Sequence, residues 1–285
     1  MEKVQKVSER STVAANVIVK ILLLLSLVPI GFYLYKFLQR QRYYQQLREL
    51  QRNAIQQYEP QFTFPTTGQH PIPSFREHLA VIPNFLPAAT FQQLHDEIVS
   101  FGQTERTYLP IHKQGGTVAY ETLHQSAPKV VAFFNSTYLS DFFSTIVGEK
   151  VYPTPIQDQS ACSLLFYTKP GDHINWHYDH NFYNGRHFTV LLPIVNQKNE
   201  APTQLSSAQL LIKHGEQEHA VSSAPNTLII FEGAKVLHKV TRIGPDETRI
   251  MLSMTFATTP QASLVKAVAR RIKDVAFFGI RALWT

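Results

Sequence analysis

A chain of 285 residues with 44% apolar content has the size and make-up of a globular domain plus an appendage, which excludes a disordered or fibrous protein. The single cysteine, Cys162, excludes an internal disulfide framework and fits a reducing compartment. The net charge of +6 sits at the ends: residues 1–58 carry nine Lys/Arg against three Asp/Glu, residues 259–285 carry five against one, and residues 59–258 carry thirteen against seventeen. A nucleic-acid partner is therefore not expected, because its basic surface would lie on the folded core; basic ends around an acidic middle suit a membrane surface.

After an N-terminal tail, 1–16, the segment 17–38 is almost wholly apolar, with Lys20 and Lys36 placed to snorkel at its ends. Its 22 residues suffice to cross ~30 Å of hydrocarbon as a helix. Phe32, Tyr33 and Tyr35 suit one interface, and a kink at Pro29 is tolerated in a bilayer. The alternative is a cleaved signal peptide, but the run is long and no small-residue cleavage site follows it. A transmembrane anchor is the expectation. Four cations precede the span and five follow, so charge does not orient it. The lone cysteine leans toward a cytosol-facing domain, whereas the sequon Asn135-Ser136-Thr137 leans the other way.

Residues 39–58 read as a polar helical stalk and the Pro-rich run 60–73 as a linker, giving an appendage over 39–73 and a catalytic domain over 74–258. Phe91, Leu94, Ile98 and Phe101 share a helical face after Pro87. A second helix is expected from Pro128 to Gly148, with Val131, Phe134, Tyr138, Phe142 and Ile146 inward. The period then changes to two, with strands expected at 161–167, 174–178, 188–195, 208–212, 227–231, 236–241 and 249–257. Short strands in series after a helical layer predict a double-stranded β-helix, or jelly roll, mainly β with flanking helices.

The stretch FYTKPGDHINWHYDHN, 166–181, concentrates metal-binding side chains. In His177-Tyr178-Asp179, positions i and i+2 of a strand point to one side. Alone this His-x-Asp is weak, and a polar strand end reads the same way. His238 lies on a later expected strand, and Arg249 opens the last one eleven residues on. Two imidazoles and one carboxylate on one face of Fe(II) leave the opposite face for other ligands. A 2-oxo acid chelating there needs a buried cation for its far carboxylate, which a guanidinium holds in a bidentate manner. His173, four before His177, would suit a helical site, but Pro170-Gly171 argues against a helix. His180 reads as a solvated neighbour, Trp176 as a residue packed between sheet and helix, and Asn181, Tyr183 and Arg186 as either entrance or ordinary loop.

On these motifs, with GRHFTVLLPI and HKVTRIGPDETRIMLSMTF, residues 78–257 resemble the 2-oxoglutarate- and Fe(II)-dependent dioxygenases, particularly the prolyl 4-hydroxylase type. The resemblance implies His177, Asp179 and His238 as iron ligands and Arg249 as the salt-bridge partner of 2-oxoglutarate. Tyr167 matches a tyrosine that hydrogen-bonds the co-substrate. Where several relatives place a second tyrosine, this chain has TVLLPI, with Thr189 as a substitute donor; Ser253, sharing strand parity with Arg249, is a candidate helper. Whether ascorbate is needed stays open. Relatives that halogenate lack the carboxylate, because halide takes its place on iron, so Asp179 favours hydroxylation.

The implied substrate is a prolyl or other peptidyl side chain, with a lipid or membrane-associated small molecule as the rival. A non-catalytic metal-binding barrel would be free to lose any of these residues, and a zinc hydrolase gives Arg249 no role. The tail, 259–285, reads as a basic amphipathic helix whose stripe of Val265, Val268, Ile272 and Val275 either lies on anionic lipid or packs on the barrel or a second subunit.

Overall fold

The computed structural model describes residues 2–66, 71–101, 105–109 and 112–279; for residues 2–27, 105 and 107–109 only the backbone is described. The chain divides into a unit ending at Gln45 and a compact unit from Gln46 to Leu283. One 57-residue helix, α1 (Glu2–Tyr58), runs through both and carries Pro29 inside it. The first part of the expected anchor, 17–27, lies outside the described side chains. In the remainder Val28, Ile30, Tyr33, Leu34, Tyr35 and Phe37 are all exposed.

The compact unit is a curled antiparallel sheet backed by helices. The expected strands appear as β5 (Cys162–Tyr167), β6 (His173–His177), β7 (His187–Lys198), β8 (Leu210–His214), β10 (Leu228–Glu232), β11 (Leu237–Val240) and β12 (Glu247–Ala257). They are joined by β1 (Leu79–Ile82), β2 (Glu105–Leu109), β3 (Lys113–Val118), β4 (Tyr152–Pro153) and β9 (Gln217–Val221). β5, β12, β7 and β10 pair in that order, and so do β6, β11, β8 and β9; β3 pairs with both β5 and β6 and joins the two runs. That is the jelly roll expected from the period-two pattern.

Side-chain alternation separates two cores. On β12, Ile250, Leu252, Met254 and Phe256 pack toward the helices, while Met251 faces the space between the two runs. On β5, Leu164 and Phe166 take the helical side, and Leu165 and Tyr167 the inner one. A one-residue slip of either strand would exchange the two sets, so the register of the inner face is strongly specified. The helical layer comprises α2 (Ala88–Val99), α3 (Tyr120–Ser126), α4 (Pro128–Phe134) and α5 (Thr137–Val147).

The structure changes three expectations. The single helix from Pro128 is two, because Ser136 caps α5 by accepting from the Leu139 amide. This 128–147 stretch has the length and composition of a membrane span, but Val130, Val131, Phe133 and Phe134 are fully buried core. The stalk and linker assigned to 39–73 do not stop short of the domain. Ala54 and Phe62 are buried in the helical core, so the domain starts near Gln46, not at 74. Finally, Asn135 of the sequon donates to Tyr120 Oη and the Val131 carbonyl, each at 2.8 Å, and accepts from Gln51 Nε2 at 2.9 Å, so its amide ties α1 to α3 and α4.

His124 belongs to the same junction. Its Nδ1 lies 2.8 Å from the Tyr120 carbonyl, and burial pushes the imidazole from its ordinary 6.5 down to about 4. The unfolded ring gains its proton below 6.5 and the folded ring only below about 4. Its neutral burial therefore contributes fully above 6.5 and is lost as pH falls toward 4, by on the order of 2–3 kcal/mol. His124→Gln is expected to flatten the fall in urea midpoint between pH 7 and 4.5; parallel slopes for the two proteins would refute this assignment.

Candidate metal and co-substrate site

His177 ends β6 and is the cross-strand partner of His238 on β11. Asp179 lies two residues past His177, just beyond the end of β6. The Asp179 amide donates to the Gly233 carbonyl at 3.0 Å. A Cβ at Gly233 would sit 2.6 Å from Asp179 Cβ, so only glycine lets the carboxylate settle there. His177 Nε2 is 3.5 Å from Asp179 Oδ1 and His238 Nε2 is 4.0 Å from Asp179 Oδ2. The three candidate ligand atoms lie within 4.8 Å of one another.

The protonation pattern suits a cation. His177 Nδ1 is 2.7 Å from the Asn175 carbonyl and His238 Nδ1 is 3.0 Å from the Val236 carbonyl. A proton on each Nδ1 leaves both Nε2 lone pairs facing the carboxylate. Burial lowers His238 and so favours its neutral form. Burial alone would raise Asp179, but His238, His177 and the Thr189 hydroxyl outweigh it and hold the carboxyl well below its usual range.

Arg249 is fully buried on β12, on the same face as Met251 and Ser253. Its Nε, Nη1 and Nη2 have no hydrogen-bond partner among the described residues. Burial lowers its pKa, yet a guanidinium stays charged. The guanidinium carbon lies 5.7 Å from the Tyr167 ring, which offsets only part of the cost of burying a cation without hydrogen bonds. Tyr167 pairs with Arg249 across β5 and β12, and burial pushes its phenol up to about 12, so it remains a donor.

Most of the motif's other residues build the frame. Thr189 donates to Asp179 Oδ2 at 2.5 Å, so its hydroxyl is spent on the carboxylate and not held for a co-substrate. Ser253 lines the cavity. His173 Nδ1 faces the Gly171 carbonyl at 2.7 Å, and His180 is exposed. Trp176 lines the cavity with Lys239 Nζ 4.3 Å from its ring, contrary to the expected place between sheet and helix. Arg186 bonds Glu149 and Glu232 and is no entrance residue. Asp172 accepts a bidentate pair from Arg106 at 2.9 and 2.6 Å and pins the Pro-Gly turn ahead of β6.

Sequence reasoning missed His112 and Lys113. Both line a cavity of about 760 Å³ that contains the cluster. The His112 ring stands edge-on to His177 at 5.4 Å. Lys113 is buried, bonds Thr117 Oγ1 at 3.0 Å, and is pushed by burial down to about 8. No local motif marks them; β3 reaches the site only because it bridges β5 and β6.

Several solved structures share this fold. The non-heme α-ketoglutarate-dependent epimerase SnoN from nogalamycin biosynthesis superposes with a TM-score of 0.51 at 12% identity, covering 64% of this chain and 77% of SnoN. A 2OG-Fe(II) oxygenase family oxidoreductase from Burkholderia pseudomallei gives 0.50 at 13% identity, covering 66% and 89%. AviO1 from Streptomyces viridochromogenes gives 0.50 at 12%, covering 66% and 95%. A search of curated protein sequences found no match. The likeness to these solved structures is one of fold. Residues 73–275, more than half of the chain, match the sequence model of the family described as Halogenase D, and the chain belongs to that family.

Thr189→Val keeps the shape and removes the donor to Asp179. Fe(II) affinity is expected to fall about tenfold or more with 2-oxoglutarate affinity unchanged, both measured by anaerobic titration. The reverse pattern would make Thr189 a co-substrate ligand.

Proposed function

We propose that the protein is a membrane-anchored Fe(II)- and 2-oxoglutarate-dependent hydroxylase of unactivated C–H bonds. The observation that carries this reading is Arg249, a fully buried guanidinium that lies 5.7 Å from the Tyr167 ring but whose nitrogens have no hydrogen-bond partner among the described residues, on the inner face of the sheet that holds the metal cluster. A metal-assisted hydrolase has no use for it. His177, Asp179 and His238 fit Fe(II) through two neutral Nε2 atoms and one carboxylate. Arg249 fits the distal carboxylate of 2-oxoglutarate, and the Tyr167 phenol is a neutral donor beside it. When bound, iron and 2-oxoglutarate supply the oxidation: dioxygen is consumed, the oxo acid loses carbon dioxide to give succinate, and the substrate C–H gains an oxygen atom.

The chain's own contribution is placement. Thr189 holds the Asp179 carboxylate and the Gly233 carbonyl holds the Asp179 backbone amide, the Asn175 and Val236 carbonyls fix the imidazole tautomers, and Leu191, Tyr167 and Met251 keep the inner face apolar. The family name points to halogenation, which needs a ligand position for halide. Here Asp179 fills that position, and this supports oxygen transfer. The exposed apolar row from Val28 to Phe37 supports the anchor. The substrate, peptidyl or lipid, depends on the cavity wall considered in the next subsection.

The deciding experiment is anaerobic. Protein with Fe(II) and 2-oxoglutarate should develop a visible metal-to-ligand charge-transfer band that His177→Ala abolishes and chloride leaves unchanged. No band in folded, iron-loaded protein would sink the reading, and a chloride-shifted band would return it to halogenation. Arg249→Met should raise the 2-oxoglutarate dissociation constant by at least tenfold. The same substitution should stabilise the ligand-free fold by about 1–4 kcal/mol, because an unpaired buried charge is removed. Thermal melts with and without 2-oxoglutarate test that opposite pair of signs.

A further inference from the structure

The helix after the barrel, α6 (Leu264–Phe278), is built inside out. Its six exposed residues, Leu264, Val265, Val268, Ala269, Ile272 and Ala276, are all apolar. Their spacing of three and four puts them on one face. Lys266, Arg270, Arg271 and Lys273 are half-buried at its flanks, and Asp274 is buried. A surface helix of a water-soluble domain has the reverse arrangement.

Inward contacts hold this orientation. Lys273 Nζ lies 3.0 Å from Asp158 Oδ1 and 2.9 Å from Ser160 Oγ. Lys266 Nζ donates to the Tyr183 carbonyl, and the Tyr183 hydroxyl donates to the same Asp158. Phe278 is buried with Ala119, and the Phe277 ring stands 6.2 Å from His112. Rolling the helix to hide its apolar face would break an ion pair in which Asp158 is buried.

The same helix walls the cavity. Ala269, Ile272, Phe277 and Phe278 line the space that contains the metal cluster. Ala269 and Ile272 therefore belong both to the outward face and to the cavity wall, and whatever covers α6 also meets the cavity. Beyond them the wall includes the apolar Leu165, Ile174, Leu191, Leu210 and Val240, with polar groups such as Lys113, Ser163 and Thr255 among them. Its volume of about 760 Å³ lies within the ~300–1,000 Å³ usual for ligand sites.

A bilayer fits the face better than a protein does. The six outward side chains offer no hydrogen-bonding group, whereas a protein interface has a polar rim. Lys266 and Lys273 are held inward, which leaves the half-buried Arg270 and Arg271 at the flanks as the cations of α6 nearest anionic headgroups, and the chain carries a second exposed apolar row before Gln45. We infer that α6 lies in the headgroup–acyl boundary of the membrane and that the oxygenase takes as substrate the apolar chain of a membrane lipid, admitted past Ala269 and Ile272. This rests on the hydroxylase reading and names its substrate class.

The test uses the full chain in vesicles of phosphatidylcholine and phosphatidylglycerol. A fluorophore is attached at Val268→Cys or, as control, at Glu216→Cys, whose side chain is 99% exposed on the β8–β9 hairpin; Cys162 is buried. Lipids carrying a quencher on the acyl chain should quench the label at 268 several-fold more than at 216. Equal quenching would overturn the docking. So would a label at 268 shielded from both lipid and aqueous iodide as protein concentration rises, which would indicate a second copy. In the same vesicles, aerobic 2-oxoglutarate consumption should exceed that in lipid-free detergent several-fold and fall to the detergent level in Leu264→Asp/Val265→Asp, two exposed positions outside the cavity wall. Quenching without that stimulation would overturn the lipid substrate. The anaerobic charge-transfer band should persist in the double variant; its absence from the wild type would overturn the hydroxylase reading itself, with the quenching still judging α6.

Discussion

The fold is organised around a cation it does not neutralise. Arg249 is sealed on the inner face of β12 with three nitrogens that no described residue answers. Desolvating a guanidinium costs several kcal/mol, and the rest of the sheet must hold it in place against that cost. It does so through β12, the most extensively paired strand, which runs beside β7 over eleven registered positions and beside β5 over six. The outer alternation of Ile250, Leu252, Met254 and Phe256 locks into the helical core, so the inward residues cannot turn away. Stability on one face of the strand is what keeps binding capacity on the other.

That division explains what could be read from the sequence. Seven of the eight strands between Cys162 and Ala257 were legible because opposite faces meet two cores, which enforces a period of two. His177, Asp179 and His238, which the fold brings within 4.8 Å of one another, stood out in the sequence because a metal-binding constellation calls for those residue types on neighbouring strands. β9 was not, since four of its five residues are exposed and no burial pattern marks it. Thr189 was placed on the inner face, but its partner could not be known: Asp179 leaves β6 in a turn whose position depends on Gly233, 54 residues later. Lys113 reaches the cavity through β3, whose role in joining the two runs is a property of closure and not of local pattern.

The carboxylate at 179 and the family name pull in different directions, and the geometry shows why they need not conflict. On the proposed reading, what is transferred depends on one ligand position, and in this chain a carboxylate stands there. Thr189 donates to the carboxylate, the Gly233 carbonyl accepts from the Asp179 backbone amide, and the absence of a Cβ at Gly233 leaves room for the side chain. Two residues, one on β7 and one just past β10, thus fix both the backbone and the side chain of Asp179.

The tail illustrates the limit of periodicity. A stripe of Val265, Val268 and Ile272 establishes that α6 has an apolar face, but periodicity carries no sign and cannot say whether that face turns inward or outward. The sign is set by Asp158, 115 residues before Lys273, because a buried carboxylate must find its cation. Once Lys273 is drawn inward, the valines on the opposite side have nowhere to go but out. The direction of an amphipathic helix was thus decided by a single buried charge, and the apolar face left outside adjoins the cavity where the chemistry takes place.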